Sequence, residues 1–474
     1  MKFVRNLLKI KTFLAIIILI SVCSSCNDWI DIEPENALIK QEFWKTKSDL
    51  MSVLASAYDA TRGTTEKSFN LGEVRADFIS NDANDYYDIG INNISTTNGA
   101  VKWADYYKAI NLANTVKYYA PIVSETDLTL TPEIVGEIDA EMVFLRSLNY
   151  FYLVRIWKDV PLVLNPTISD TVNFFTPKSN EAVVLKQIVS DLKNAIPRAS
   201  QDATEKGRAN KYAIQALLAD VLLWNENYTE CINYCDAIIN SGLFGLEPIA
   251  TWFSLYYPGN SQIESIFEIQ YNDKLDQQEN PIYFSTSTYT NYLDRMGFDQ
   301  VIDIRYCGGK GPFWKITGKD ETGSNSKRRT SNQYDANFIY YRYADILFIK
   351  AEALAELGNF DEANKLVQDI AERAGAIYTP MYSLNVFRSS LLAERGREFG
   401  AEGKRWFDVL RFAKKGNFKD TKFLKDMMLS KARDAQELAV IKTKVVDTMS
   451  YYLPIHEDEL KFNRNLVQNP FYDR

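Results

Sequence analysis

The sequence predicts an all-α dominated chain of helix pairs with irregular loop insertions and minor strands, and two observations carry that expectation. The first is residues 342–375, RYADILFIKAEALAELGNFDEANKLVQDIAERAG, which read as two helices joined by a tight turn. In the second helix Phe360, Ala363, Leu366, Val367 and Ile370 share one face of a 3.6-residue period, and such a face must be buried. Gly358 suits the left-handed stop of the first helix, and Asn359 with Glu362 has the spacing of a capping box. Ala351 and Ala355 lie one turn apart and let a neighbouring helix approach. The unit is 34 residues long, the tetratricopeptide period.

The second observation is a copy 132 residues upstream. In that register Ala219 aligns with Ala351, Leu222 with Leu354, Asn227 with Asn359, Tyr228 with Phe360, Glu230 with Glu362 and Cys231 with Ala363. A shared small residue, cap and aromatic mark the same joint. One pair cannot make a stable solenoid, so further pairs are expected.

In chain order, Lys2, Arg5, Lys9 and Lys11 precede the apolar run from Phe13 to Val22 and then Ser24-Ser25-Cys26, the pattern of a secretory signal too short to span a bilayer. Small residues before a cysteine suggest lipoprotein processing, with residues 1–25 removed and Cys26 acylated. Cys23 is the weaker alternative for lipidation, and an ordinary cleaved signal is the other reading. Residues 26–42 are acidic and contain Pro34, consistent with an extended tether to a folded body at 43–474.

In that body Ser48 is a candidate cap for a helix carrying Leu50, Leu54, Ala57 and Tyr58, and a second helix spans Trp103 to Tyr118. Thr131-Pro132 is a strong start for a helix to Trp157 whose apolar residues nearly encircle it, which makes it central. Ser179 opens a helix over Glu181 to Ile196, with Val184, Ile188, Leu192 and Ala195 on one face. From about 242 to 337 the pattern breaks into irregular sequence rich in Tyr, Asn, Gly and Ser, with 259–273 as the best strand. Helical order is expected to resume at Phe338, with a last helix from Leu391 through the RWFDVLRF segment and a short packed tail.

Composition excludes several classes of function. Without residues 1–25 the chain has 50 basic against 62 acidic side chains, so bulk charge does not draw it to nucleic acid. Beyond the signal only Cys231, Cys235 and Cys307 remain. Cys231 and Cys235, one helical turn apart, read as small core residues rather than a disulfide. With His456 the sole histidine and no CxxC pair, zinc, haem and Ser/His or Cys/His catalysis have little support, and no cofactor is expected.

Four segments then resemble the SusD/RagB family of Gram-negative surface lipoproteins: EMVFLRSLNYFYLVRIWKDVP at 141–161, the repeat at 343–375, ERGREFGAEGKRWFDVLR at 394–411, and Leu453-Pro454-Ile455 with Gln468-Asn469-Pro470. Lys158 and Phe471 stand where that family usually has glycine. The resemblance implies a SusD-like superhelix of four tetratricopeptide-like pairs. It also implies a partner, a SusC-like TonB-dependent β-barrel transporter of the outer membrane, and a ligand, an oligosaccharide or polysaccharide delivered to that barrel.

Glycan binding needs flat rings for sugar C–H faces and nearby carboxamides, carboxylates or arginines for hydroxyls. Two loops hold the mixture. Residues 75–90 carry Arg75, Asp77, Asn81, Asp82, Asn84, Tyr86 and Tyr87; the insertion carries Tyr283, Tyr289, Tyr292, Arg305 and Trp314. The expected ligand contacts are Asp77, Asn81, Tyr86, Tyr87, Tyr289, Tyr292, Arg305 and Trp314. Asp82, Asn84 and Asp85 miss the EF-hand spacing, so no metal is assigned. The charges from Glu394 to Asp408 read as helix-borne ion pairs rather than a catalytic cluster. A helical-scaffold glycoside hydrolase and a tetratricopeptide protein-interaction scaffold are the alternatives to a glycan-binding protein that performs no catalysis.

Overall fold

The computed structural model describes residues 43–81, 84–169, 171–256, 263–271, 289–291, 293–298, 303–311, 313–318 and 336–473. The signal, Cys26 and the tether lie outside them. The first half comprises α1 (Lys47–Arg62), α2 (Thr65–Glu73), β1 (Ile79–Asn81), α3 (Asn84–Gly90), α4 (Ala104–Ser124), α5 (Pro132–Trp157), β2 (Val160–Pro161), β3 (Lys178–Ser179), α6 (Glu181–Ala195), α7 (Lys211–Trp224) and α8 (Tyr228–Ile239). The insertion contributes β4 (Ser265–Ile269), β5 (Tyr289–Asn291), α9 (Leu293–Met296) and α10 (Trp314–Thr317). Then follow β6 (Phe338–Arg342), α11 (Tyr343–Glu356), α12 (Phe360–Arg373), α13 (Leu384–Phe399), α14 (Arg405–Phe418), α15 (Lys422–Leu429), α16 (Ala435–Lys444) and α17 (Glu457–Phe462).

The helices stack as neighbours in the series α1, α4, α5, α6, α7, α8, α11, α12, so the repeats form one continuous ladder. Helix α5 is its axis: every residue from Ala140 to Trp157 is buried. Thr131 caps that helix, its hydroxyl accepting from the Ile134 N–H at 3.3 Å, and Pro132 fills the first turn. Its far end stops at Lys158, whose φ of 69° is the left-handed conformation that favours glycine.

The repeated joint is present in both copies, but its chemistry differs from a capping box. The Asn227 N–H donates to Leu222 O and the Asn359 N–H to Leu354 O, each at 2.9 Å, the six-to-one bond of a Schellman turn. The residue before each asparagine, Glu226 and Gly358, has positive φ. Neither asparagine side chain bonds the helix backbone; Asn227 instead donates to Glu230, and Glu362 pairs with Lys350. Cys231 and Cys235 are buried free thiols.

Other boundaries move for local reasons. Thr46, not Ser48, caps α1 through a reciprocal bond with Asp49, and Asn180, not Ser179, caps α6. Phe338–Arg342 is a strand, antiparallel to β4. The expected single last helix is split at residues 400–404, where Ala401 and Gly403 both have positive φ. The tail locks onto α5: the Leu453 N–H donates to Ile156 O at 2.8 Å and the Trp157 indole to Pro454 O at 2.9 Å.

Candidate functional site

Loop 75–90 and the insertion are some two hundred residues apart in sequence, and the chain brings them together. Strand β1 pairs antiparallel with β5, in the register Ile79 to Asn291 and Asn81 to Tyr289. Two cations hold that junction, one from a later segment and one from the insertion itself. Lys431 Nζ donates to Val74 O at 3.0 Å and Ile79 O at 2.9 Å. The Arg295 guanidinium donates to Asp77 O and to Ser430 O, each at 3.1 Å, so α9 is tied to both sides.

At the outer edge the Tyr87 hydroxyl donates to Glu437, and the Arg433 guanidinium lies 4.6 Å over the Tyr87 ring. The bond to Glu437, with some burial, raises the Tyr87 phenol above its ordinary value. A shallow groove of about 260 Å³, lined by Ile91, Asn93, Asp434, Gln436, Glu437 and Val440, opens beside this pair. Tyr86 is half-buried and packs on the main core. The segment 430–437 thus completes the site. It carries no aromatic residue and no motif, so nothing in the sequence marked it.

The expected contacts divide by environment. Tyr87 bonds Glu437, which lines the groove, and Asn81 and Tyr289 are register partners in the strand pair. Asn81 is buried and donates to the Asn70 side chain at 3.3 Å. Asp77 is held by Arg405 through two bonds at 3.0 and 3.2 Å, and Arg75 stacks 3.9 Å over Trp406 while donating to Ser450 O. Both pairs serve the frame. Tyr283, Tyr292 and Asp82 lie outside the described residues. Asp85 accepts from the Gly99 N–H at 3.0 Å, and among the described residues no cluster of metal-ligating side chains forms.

Arg305 and Trp314 do not line the groove, contrary to their expected role. Arg305 is 2% exposed; its donors reach Asp303 at 2.8 Å, Glu394 at 2.6 Å and Glu398 at 3.0 Å. Trp314 is 3% exposed. The reason is a buried charge network that fastens the insertion to α13. Arg342 on β6 bonds Glu264 at 2.6 Å, Glu398 at 2.7 Å and Glu402 at 3.0 Å; Lys315 on α10 bonds Glu402 at 2.6 Å; Arg373 on α12 bonds Glu264 at 2.9 Å. Burial pushes the Glu398 carboxyl up, but Arg373, Arg342 and Arg305 together hold it well below the usual carboxylate range. The acidic run from Glu394 is therefore made of ion pairs, as its spacing implied. Its partners reach well beyond the last helices, into the insertion.

Known proteins share this architecture. Residues 303–472 match the family described as the SusD family, and residues 28–223 match one described as starch-binding associating with outer membrane. A SusD-like protein of Formosa agariphila, P38, is 28% identical over 467 residues, spanning 84% of this chain and 90% of its own length. A SusD superfamily structure from Bacteroides vulgatus has a TM-score of 0.75 at 22% identity, covering 90% of this chain and 100% of that one. Another, from Bacteroides thetaiotaomicron, gives 0.72 at 21% identity, covering 91% and 99%. The likeness to solved structures establishes the fold, and no described helix is long and apolar enough to cross a membrane. With family matches in both halves of the chain, the protein belongs to the SusD-like family.

Proposed function

We propose that this chain is a lipoprotein of the outer cell surface, anchored through Cys26, whose single domain at 43–474 captures an oligosaccharide. It passes that ligand unaltered to a SusC-like TonB-dependent transporter. The observation that carries the reading is the β1–β5 pairing. It joins loop 75–90 to the insertion, and the same loop carries Tyr87, whose hydroxyl bonds Glu437 in the wall of a groove that Asn93 also lines, groups suited to sugar faces and hydroxyls. The family matched over residues 28–223, described as starch-binding associating with outer membrane, supports the ligand class and the location.

A binding role without catalysis is further supported by the state of the carboxylates from Glu394 to Glu402, which are enclosed and spent on arginine and lysine partners. Calorimetry against maltohexaose, cellohexaose, xylohexaose and mannohexaose, with co-purification from membranes, tests the proposal. Binding of one glycan, its recovery intact after long incubation, and a co-purifying β-barrel are the expected results. Cleaved product, or neither ligand nor barrel, overturns it.

A further inference from the structure

Away from the β1–β5 junction, a groove of about 870 Å³ opens between the first turns of α4, the loop 161–176 and residues 459–466. It shares no lining residue with the groove beside Tyr87. Its size falls in the range of about 300–1,000 Å³ typical of small-ligand sites.

Its wall is pinned in place. The Tyr107 hydroxyl donates to Pro161 O at 2.7 Å, the Tyr150 hydroxyl donates to Val163 O at 2.9 Å and accepts from the Val163 N–H, and the Thr167 N–H donates to the Asn111 side chain at 2.8 Å. The opposite lip is clipped as firmly. Asn463 donates to Thr176 O at 2.8 Å, Asn465 to Phe175 O at 2.7 Å, and the Arg464 guanidinium lies 5.0 Å over the Phe175 ring.

On this fixed frame two rings stand in solvent, Phe174 at 55% and Phe462 at 80% exposure, and both line the groove. Exposed rings at the rim of a cavity, above an apolar floor that includes Ile110, mark a surface awaiting a partner. The carboxamides of Asn111, Asn165 and Asn173 line the same groove. Asn111 and Asn173 use their carbonyl oxygens on backbone N–H groups, which leaves their NH2 donors without a hydrogen-bond partner among the described residues. Glu459 is the one charged side chain among the lining residues. An almost uncharged lining does not select ions, and exposed rings together with amide donors match a chain that presents both C–H faces and hydroxyls.

We propose that this groove is a second oligosaccharide-binding site, selective for an uncharged glycan and independent of the groove beside Tyr87. Its ligand class rests on the glycan-binding function proposed above. The two sites let one molecule hold a glycan chain at separate points, raising retention by effective concentration rather than by new contacts.

The test is calorimetry of the full chain with maltohexaose, cellohexaose, xylohexaose and mannohexaose, comparing the wild type with Phe174→Ala/Phe462→Ala and with Tyr87→Ala. Both aromatic substitutions at the rim are of exposed rings, and thermal melting checks that the fold is kept. The expected result is two binding events for one of the four glycans. The Phe174→Ala/Phe462→Ala variant loses one of them, weakened about tenfold or more, while the other is unchanged. A glycan that binds wild type and the double variant alike overturns the second site and leaves the proposed function standing. Absence of binding to all four glycans overturns both.

Discussion

Arg342 and Glu398 meet at 2.7 Å with both side chains fully enclosed, joining the strand that enters the second repeat to α13, the helix that follows the repeat. Burying two charges costs several kcal/mol of hydration each, and the cost is recovered only while every partner is present. Arg342→Met removes the one guanidinium that Glu264, Glu398 and Glu402 share, and each of these buried carboxylates loses a partner. The expected loss is about 3–5 kcal/mol in urea unfolding, larger than for any exposed pair such as Lys422 with Asp426. A loss below about 1 kcal/mol would show that the network does not hold the insertion.

A second dependence involves backbone alone. A Cβ added at Gly72, near the end of α2, would lie 1.9 Å from Gly403 O, and Gly403 itself has φ of 76°. No side chain can yield there, so two backbone segments must part. Gly72→Ala is expected to destabilise by about 1–3 kcal/mol, read as a drop in Tm, where an ordinary glycine-to-alanine change in a helix stabilises.

Lys158 offers the reverse case. With φ of 69° it strains a residue carrying a Cβ, immediately after the buried α5. Lys158→Gly relieves about 1–2 kcal/mol of left-handed strain, less what is lost from the ammonium 5.6 Å over the Tyr452 ring and the entropy of a more flexible unfolded chain. A net gain in Tm is expected by differential scanning calorimetry, and a decrease would mean the Tyr452 contact outweighs the backbone.

These sites show which parts of the fold the sequence made legible. The joint at Asn227 and Asn359 could be read because a helix stop is local: an asparagine, an aromatic and a glutamate within four positions in both copies, with a glycine before the second. Lys158 could be singled out because it stands where the family usually has glycine. The strand at Phe338–Arg342 could not be read, since FIYYR runs without a break into the helix and its partner Ser265–Ile269 lies far upstream. Arg305 failed for the same reason: an arginine in an aromatic insertion looks like a ligand until Glu394 and Glu398, some ninety residues later, are folded onto it. The groove at Phe174 and Phe462 left no trace, because backbone carbonyls and scattered asparagines build it.

Two buried carboxylates pull the pH dependence of stability in opposite directions. Burial raises Glu402, but Arg342, Lys315 and Lys404 bring it down to about 2. Its contribution is present above the ordinary value of 4.5 and is lost as pH falls toward 2. Burial lifts Glu73 to about 7 despite N–H donors from Lys404 and Gly403, and its second oxygen has no partner. A raised carboxyl stabilises below 4.5, and that stability is lost as pH rises through 7. Glu73→Gln is therefore expected to flatten the decline between pH 5 and 8 by on the order of 3 kcal/mol while leaving the acid limb intact. Urea midpoints measured across that range decide it; an unchanged slope would place the titration elsewhere.

At the groove beside Tyr87, ring and hydroxyl can be separated. The hydroxyl is spent on Glu437, and the ring is partly open with Arg433 on one face. If a sugar stacks on that ring, its C–H groups meet the negative π face, an interaction the phenol oxygen does not supply. Tyr87→Phe keeps the face and is expected to change the affinity for the bound glycan by less than about twofold, whereas Tyr87→Ala removes it and weakens binding about tenfold. Calorimetry on both variants gives the comparison, with melting curves to confirm the fold. Equal losses in the two would mean that Glu437 positioning, and not stacking, carries the contact, since only the hydroxyl bond is common to both changes.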